Sequence, residues 1–128
     1  MRLTAKATRW YLEAAKQGYA PAQYNLAALY AVGRGVTLNN AEALKWYLQA
    51  ANQGDSLAQY NVGMRYFEGH GVKPDPVLAY KWLSLSAAQK LPDAGRALST
   101  LKDRISSEDL AKAKSLIRDF KVVGATNR

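Results

Sequence analysis

Between Ala41 and Gly54 the apolar residues fall three and four apart. Ala43, Trp46, Tyr47 and Ala50 occupy i, i+3, i+4 and i+7, one face of an α-helix. Asn39 or Asn40 stands where an N-cap is needed. Glu42, three residues after Asn39, completes the pattern of a capping box. Gly54 ends the helix. A second helical pattern follows in "SLAQYNVGMRYFEGHG". Ala58, Val62 and Tyr66 recur every fourth position, Gly69 is a C-terminal stop, and Gly71 lets the chain turn back. Asp75 and Pro76 then supply an N-cap and a first-turn proline for the next helix. No stretch alternates with the period of a strand. The pattern predicts an all-α chain.

The two helical patterns form one unit, and the unit repeats. Trp10, Trp46 and Trp82 are spaced 36 and 36 apart. Gly18 and Gly54, Tyr24 and Tyr60, Asn25 and Asn61, and Tyr30 and Tyr66 keep the same step of 36. So do Gly33 and Gly69, Gly35 and Gly71, and Val36 and Val72. Chance does not produce so many matches at one offset, and a period of this length means stacked helical hairpins. Small residues such as Ala43, Ala50, Ala51, Ala58 and Gly63 let helices approach closely. The in-phase aromatics Trp10, Trp46, Trp82, Tyr30 and Tyr66 are expected to fill the core between them.

The segments "AQYNLAALYAVGRGV" and "AQYNVGMRYFEGHGV", alternating with "ALKWYLQAANQG", resemble the Sel-one-like repeat. That family is a branch of the tetratricopeptide-type α/α solenoids, in which each unit has an A helix and then a B helix. The resemblance covers nearly the whole chain. It implies an all-α, right-handed α/α superhelical solenoid of 36-residue helix-turn-helix repeats with a C-terminal capping helix. The expected organisation is one domain over 1–128, with a half repeat at 1–19, repeats at 20–54 and 55–90, and a degenerate A helix plus cap at 91–123. The cap is read from "SSEDLAKAKSLIRDF".

Departures from the family pattern are informative. Residues 3–17 read only as a B helix, so the first unit lacks its A helix. Helix 3–17 then presents Leu3, Ala7, Trp10 and Ala14 with nothing before them. An exposed apolar patch is expected there, favouring self-association through the N-terminal half repeat or indicating a truncated array. The fourth A helix, "PDAGRALSTLKDRI", has lost both tyrosines and the glycine turn.

In arrays of this type the A helices line a concave face. The matching positions here are Tyr24, Asn25, Ala28, Tyr60, Asn61 and Met64, with Arg65 and Phe67 beside them. Arg65 and Arg96 would add selectivity for an acidic ligand. Asparagines at such positions often bind a partner's backbone in related arrays. The alternative, a bond to a neighbouring helix, is equally open, since a buried amide needs a partner either way.

Composition narrows the functions. The chain has no cysteine, which excludes disulfides and thiolate metal sites. The single histidine, His70, sits in a glycine turn, and the ligands for a metal site are not near it in sequence. The "GRGV" and "GHGV" turns follow no strand and lack the full spacing of a nucleotide cradle. Ser99 and Lys102 match Ser-x-x-Lys, but the companion motifs of penicillin-recognising enzymes are missing. The carboxylates are scattered, and none pairs with another at a repeat-defined site. No catalytic, metal or cofactor-binding residue is therefore expected.

Formal net charge is +8. Residues 1–80 hold 8 Lys/Arg and 5 Asp/Glu, and residues 81–128 hold 10 and 5. The excess is spread without a run, so it reads as a solvated surface. No apolar run approaches the roughly 18 residues of a membrane span. The N-terminus does not read as a signal peptide. The expected compartment is the cytoplasm as written, or the periplasm or exterior if a leader was removed.

The leading reading is a non-catalytic protein- or peptide-binding scaffold that uses the concave groove. A second is a hydrolase of cell-wall or β-lactam substrates, proposed for some cysteine-rich relatives; the lack of cysteine here counts against it. A third is an electrostatic binder of anionic partners, which salt-dependent binding to a polyanion would separate from the first. No nucleic-acid partner and no membrane insertion are expected.

Overall fold

The computed structural model describes residues 5–123. Seven helices follow one another: α1 (Ala5–Lys16), α2 (Ala20–Val32), α3 (Asn40–Asn52), α4 (Ser56–Glu68), α5 (Pro76–Ala88), α6 (Pro92–Lys102) and α7 (Ser107–Asp119). Among the described residues there is no strand. Each helix packs on the next through α6, giving an α/α solenoid in which α2–α3 and α4–α5 are the complete hairpins. Both α6 and α7 pack on α5. Leu3 lies outside the described residues.

Helix boundaries follow local chemistry. Asn39 caps α3 by accepting from the Glu42 N–H at 3.0 Å. Asp55 caps α4 through the Ala58 N–H at 3.0 Å. Asp75 caps α5 through the Val77 and Leu78 N–H groups, and Ser106 caps α7 through Asp109. The expected capping box at α3 is half made. The Asn39 N–H donates to the Tyr30 carbonyl at 2.9 Å instead, and the Glu42 carboxylate leans toward Lys45 at 4.0 Å. The same loop bond recurs one repeat later, from the Asp75 N–H to the Tyr66 carbonyl at 2.9 Å. These bonds fix the return from each A helix to its B helix. Gly69 closes α4 at φ 74°, a left-handed conformation that side chains other than Asn and Gly resist.

Alanines and two tryptophans build the interior. One buried cluster contains Leu26, Ala27, Ala43, Trp46, Tyr47, Ala50, Ala51, Ala58, Val62 and Trp82. A second holds Ala79, Tyr80, Leu83, Leu101 and Ala113. Close approach is strict at Gly63. A Cβ added there would lie 2.7 Å from Leu83 Cγ and 3.0 Å from the Leu83 backbone N. Tyr30 and Tyr66 are half-buried against this interior.

Trp10 departs from the in-phase expectation. It is 73% exposed, whereas Trp46 is 6% and Trp82 3% exposed. Among the described residues nothing covers the outer side of α1. The apolar patch expected at that end is present, with Ala7 and Ala14 half-buried beside Trp10.

The chain after α7 folds back across the B helices. Phe120 meets the Trp82 ring edge-on at 5.5 Å between centroids, and the Val123 N–H donates to the Asn52 carbonyl at 2.8 Å. Lys81 lies over both rings, at 4.4 Å from Trp82 and 5.4 Å from Phe120. Burial there pushes its pKa down, because the charged ammonium loses water.

Candidate partner-binding groove

Two pairs of complementary glutamines hold the A helices in position. Gln23 of α2 is buried and donates to the Ala15 carbonyl of α1 at 3.0 Å, while Gln53, just after α3, donates to its Oε1 at 2.9 Å. Gln59 of α4 repeats this with the Ala51 carbonyl at 3.2 Å, and Gln89 donates to its Oε1 at 2.9 Å. Each A-helix glutamine thus links two successive B helices. Leaving such a buried amide unpaired would cost about 1–3 kcal/mol, so the stitch also fixes register. The spacing of apolar residues does not point to these glutamines. Their signal was present, because Gln17, Gln53 and Gln89 keep the 36-residue step, as do Gln23 and Gln59.

Tyr24 and Arg65 come together on either side of Tyr47. The Tyr24 ring meets Tyr47 edge-on at 5.4 Å, and the Arg65 guanidinium carbon lies 5.5 Å from the Tyr47 centroid. Arg65 also donates from Nη1 to Asn40 Oδ1 at 3.3 Å. Its Nε is buried and has no acceptor among the described residues. Tyr47 itself is buried, and its hydroxyl pKa is pushed up to about 12. Burial is the main cause, the nearby Tyr24 adds to it, and the Arg65 charge opposes it. Helices of two successive repeats therefore meet at one aromatic ring carried by the helix between them.

A second group lies further along. Tyr60, Met64 and Phe67 of α4 are half-buried against the second core cluster, and Arg104 lies 5.9 Å from the Phe67 centroid. Asn61 donates its amide to the Leu57 carbonyl of its own helix at 3.0 Å. That bond is neither to a neighbouring helix nor to a ligand. Asn25 is exposed and its side chain makes no hydrogen bond among the described residues, and Ala28 is half-buried. Arg96 stands in solvent on α6, paired with Asp93 of the same helix. The structure thus joins Tyr24 with Arg65, and Tyr60 with Met64 and Phe67. Arg96 is held by its own helix.

Other features lie outside this face. His70 is exposed in its turn, and among the described residues no three His, Cys, Asp or Glu side chains gather as for a metal. Ser99 and Lys102 are both exposed on α6. Among the described residues no helix is long and apolar enough to cross a membrane.

Stacked A and B helices, stitched at a constant step, define a solenoid of the tetratricopeptide type. Comparison with family models is specific within that class: the Sel1 repeat matches at residues 3–19, 20–55 and 56–91. The chain belongs to the Sel1 repeat family. Two solved structures are similar. One is a protective antigen present in uropathogenic Escherichia coli strains that displays an SLR fold. It is 30% identical over 91% of this chain and 25% of its own, with a TM-score of 0.85. The other is a Sel1 repeat protein from Oxalobacter formigenes, 35% identical over 78% of this chain and 41% of its own, with a TM-score of 0.75. The chain therefore spans well under half of either relative. No curated protein sequence matches significantly.

Proposed function

We propose that this chain is a non-catalytic protein- or peptide-binding module that holds a partner segment against its A helices. The observation that carries this reading is the convergence of Tyr24 and Arg65 on Tyr47. Half-buried aromatic surface beside a partly desolvated guanidinium is the composition of an interaction hot spot. Arg65 is only half-buried and bonds Asn40 through Nη1 alone, so the rest of its guanidinium can take an acidic or carbonyl group of a ligand. Tyr60 and Met64 extend the contact area along α4. Asn25 and the Oδ1 of Asn61 supply polar contacts to an extended backbone, Ala28 leaves room for it, and Arg96 adds charge at the far end.

The test is site-specific photo-crosslinking. The probe group goes at Tyr24 or Tyr60 on the A helices, and at Lys45 or Gln49 on the exposed side of α3. A partner caught at the A-helix positions is then titrated calorimetrically against wild type, Arg65→Ala and Asn61→Ala. Circular dichroism checks that each variant is folded. We expect capture at Tyr24 and Tyr60, and losses of about 1–3 kcal/mol in each variant. Capture only at Lys45 and Gln49, with unchanged affinity in both variants, would move the site to the other face.

A further inference from the structure

We propose that Lys81 is an acylation site that latches the chain after α7, so that converting its amine to an amide releases residues 120–123 from the B helices. The segment rests on three contacts. Phe120 meets the Trp82 ring edge-on at 5.5 Å. Val122 lies over Gly54, with its Cγ2 3.4 Å from where a Cβ on that glycine would stand. The Val123 N–H donates to the Asn52 carbonyl at 2.8 Å. Lys121, between the first contact and the second, is exposed. Lys81 holds the first of these contacts in place. Its ammonium lies 4.4 Å from the Trp82 centroid and 5.4 Å from that of Phe120, both within the range over which a ring face attracts a cation. Among the described residues Lys81 has no ion pair and no side-chain hydrogen bond, so the two rings alone hold its charge. The repeat shows that this arrangement belongs to one position. Lys45 lies over Trp46 at 5.0 Å, but no second ring among the described residues closes over it.

The chemistry is acyl transfer from an acyl thioester. The Lys81 Nζ lone pair attacks the carbonyl carbon and the C–S bond breaks. The amine gives one proton to the departing thiolate, and an amide remains. The reacting form is the free amine, and burial favours that form at Lys81 by pushing its pKa down. The side chain is half-buried and not enclosed, so a small reagent reaches it. Acylation removes the charge and with it the attraction to both rings. Release has a defined consequence. Val123 forms one wall of a concavity of about 460 Å³ that Gly18, Gln23, Gln49, Asn52 and Gln53 also line. Unlatching takes that wall away and frees the Asn52 carbonyl from its bond to Val123. This inference does not rest on the groove reading, because no groove residue takes part.

The probe is the acetyl thioester of N-acetylcysteamine, added to the full chain at neutral pH while mass spectrometry follows each lysine. Lys81 should be acetylated faster than Lys45. Two readouts then report the segment: amide hydrogen exchange at Val123, and acrylamide quenching of Trp82 in protein whose other tryptophans are phenylalanine. In the acetylated protein and in Lys81→Gln, Val123 should exchange about fivefold faster than in wild type, as expected for loss of a cation–π contact. Trp82 should be quenched more strongly in both. Lys81→Arg keeps a cation over the rings and should hold both readouts near wild type, and Lys45→Gln should leave them unchanged. Phe120→Leu removes the ring but not the charge, so it should match Lys81→Gln and tests the latch without any change at Lys81. Circular dichroism checks that each variant is folded. Acetylation of Lys81 no faster than that of Lys45 would overturn the assignment of the site. Unchanged Val123 exchange in Lys81→Gln, or an equal rise in Lys81→Arg, would overturn the latch.

Discussion

Trp10 and Trp46 stand at the same place in successive repeats, yet one faces water and the other is core. The local sequences are closely alike, "RWYLEAAKQG" against "KWYLQAANQG". The difference lies in the neighbour. Trp46 lies on α3, which packs on α2 on one side and on α4 of the next hairpin on the other, whereas the main packing of α1 among the described residues is on α2. In a solenoid each helix borrows its burial from the units beside it. A repeat position therefore fixes which way a residue faces, and the neighbouring unit decides whether that face is dry.

The largest contrast should appear in stability. Trp46→Ala removes a buried ring and should cost about 3–5 kcal/mol. Trp10→Ala should stay within about 0.5 kcal/mol of wild type, as exposed substitutions do. Urea unfolding of both variants checks this, and equal losses would break the comparison. Glycines give the next contrast. Gly63→Ala forces a Cβ onto Leu83 and should cost about 1–3 kcal/mol. Gly95→Ala in α6 meets nothing within 4 Å and should gain about 0.5–1 kcal/mol of helix stability. Thermal melts of the pair would sharpen the distinction between interior and end.

The glutamines extend it. Gln59→Ala removes the bonds to the Ala51 carbonyl and from the Gln89 amide, each of which keeps a second partner at Gly54, and should cost about 0.5–1.5 kcal/mol. Gln17→Ala, at the uncovered end, should leave the melting temperature unchanged. A pH-dependent contrast follows from Tyr47. Its folded pKa is raised from 10.0 to about 12, so folding favours the protonated ring. The resulting stability is complete below pH 10 and is lost as pH rises toward 12, at no more than about 1.4 kcal/mol per pH unit. Tyr47→Phe should show a shallower alkaline loss, while the exposed Tyr19→Phe should follow wild type.

Much of this was legible in the sequence because it is periodic. Trp46, Trp82, the glycine stops and the caps at Asn39 and Asp75 follow from spacing and local hydrogen bonding alone. Trp10 shows the limit of phase. Its position predicted core, but no helix among the described residues covers that side of α1. The half-made capping box at Asn39 was not legible, because its N–H is taken by Tyr30 across the loop. The groove residues were named by position, but their grouping depends on contacts between repeats. Tyr24 and Arg65 meet through Tyr47, which the pattern marked only as a core residue of α3. Arg96 kept the phase of Tyr24 and Tyr60, yet Asp93 one turn earlier on α6 holds it.

The most direct test of a neighbour-supplied interior is acrylamide quenching of single-tryptophan proteins. Two of the three tryptophans are replaced by phenylalanine in each, at concentrations where sedimentation finds a monomer. Trp10 alone should be quenched nearly as strongly as a free indole, while Trp46 alone and Trp82 alone should be shielded. Equal shielding of Trp10 and Trp46 in the monomer would contradict the account.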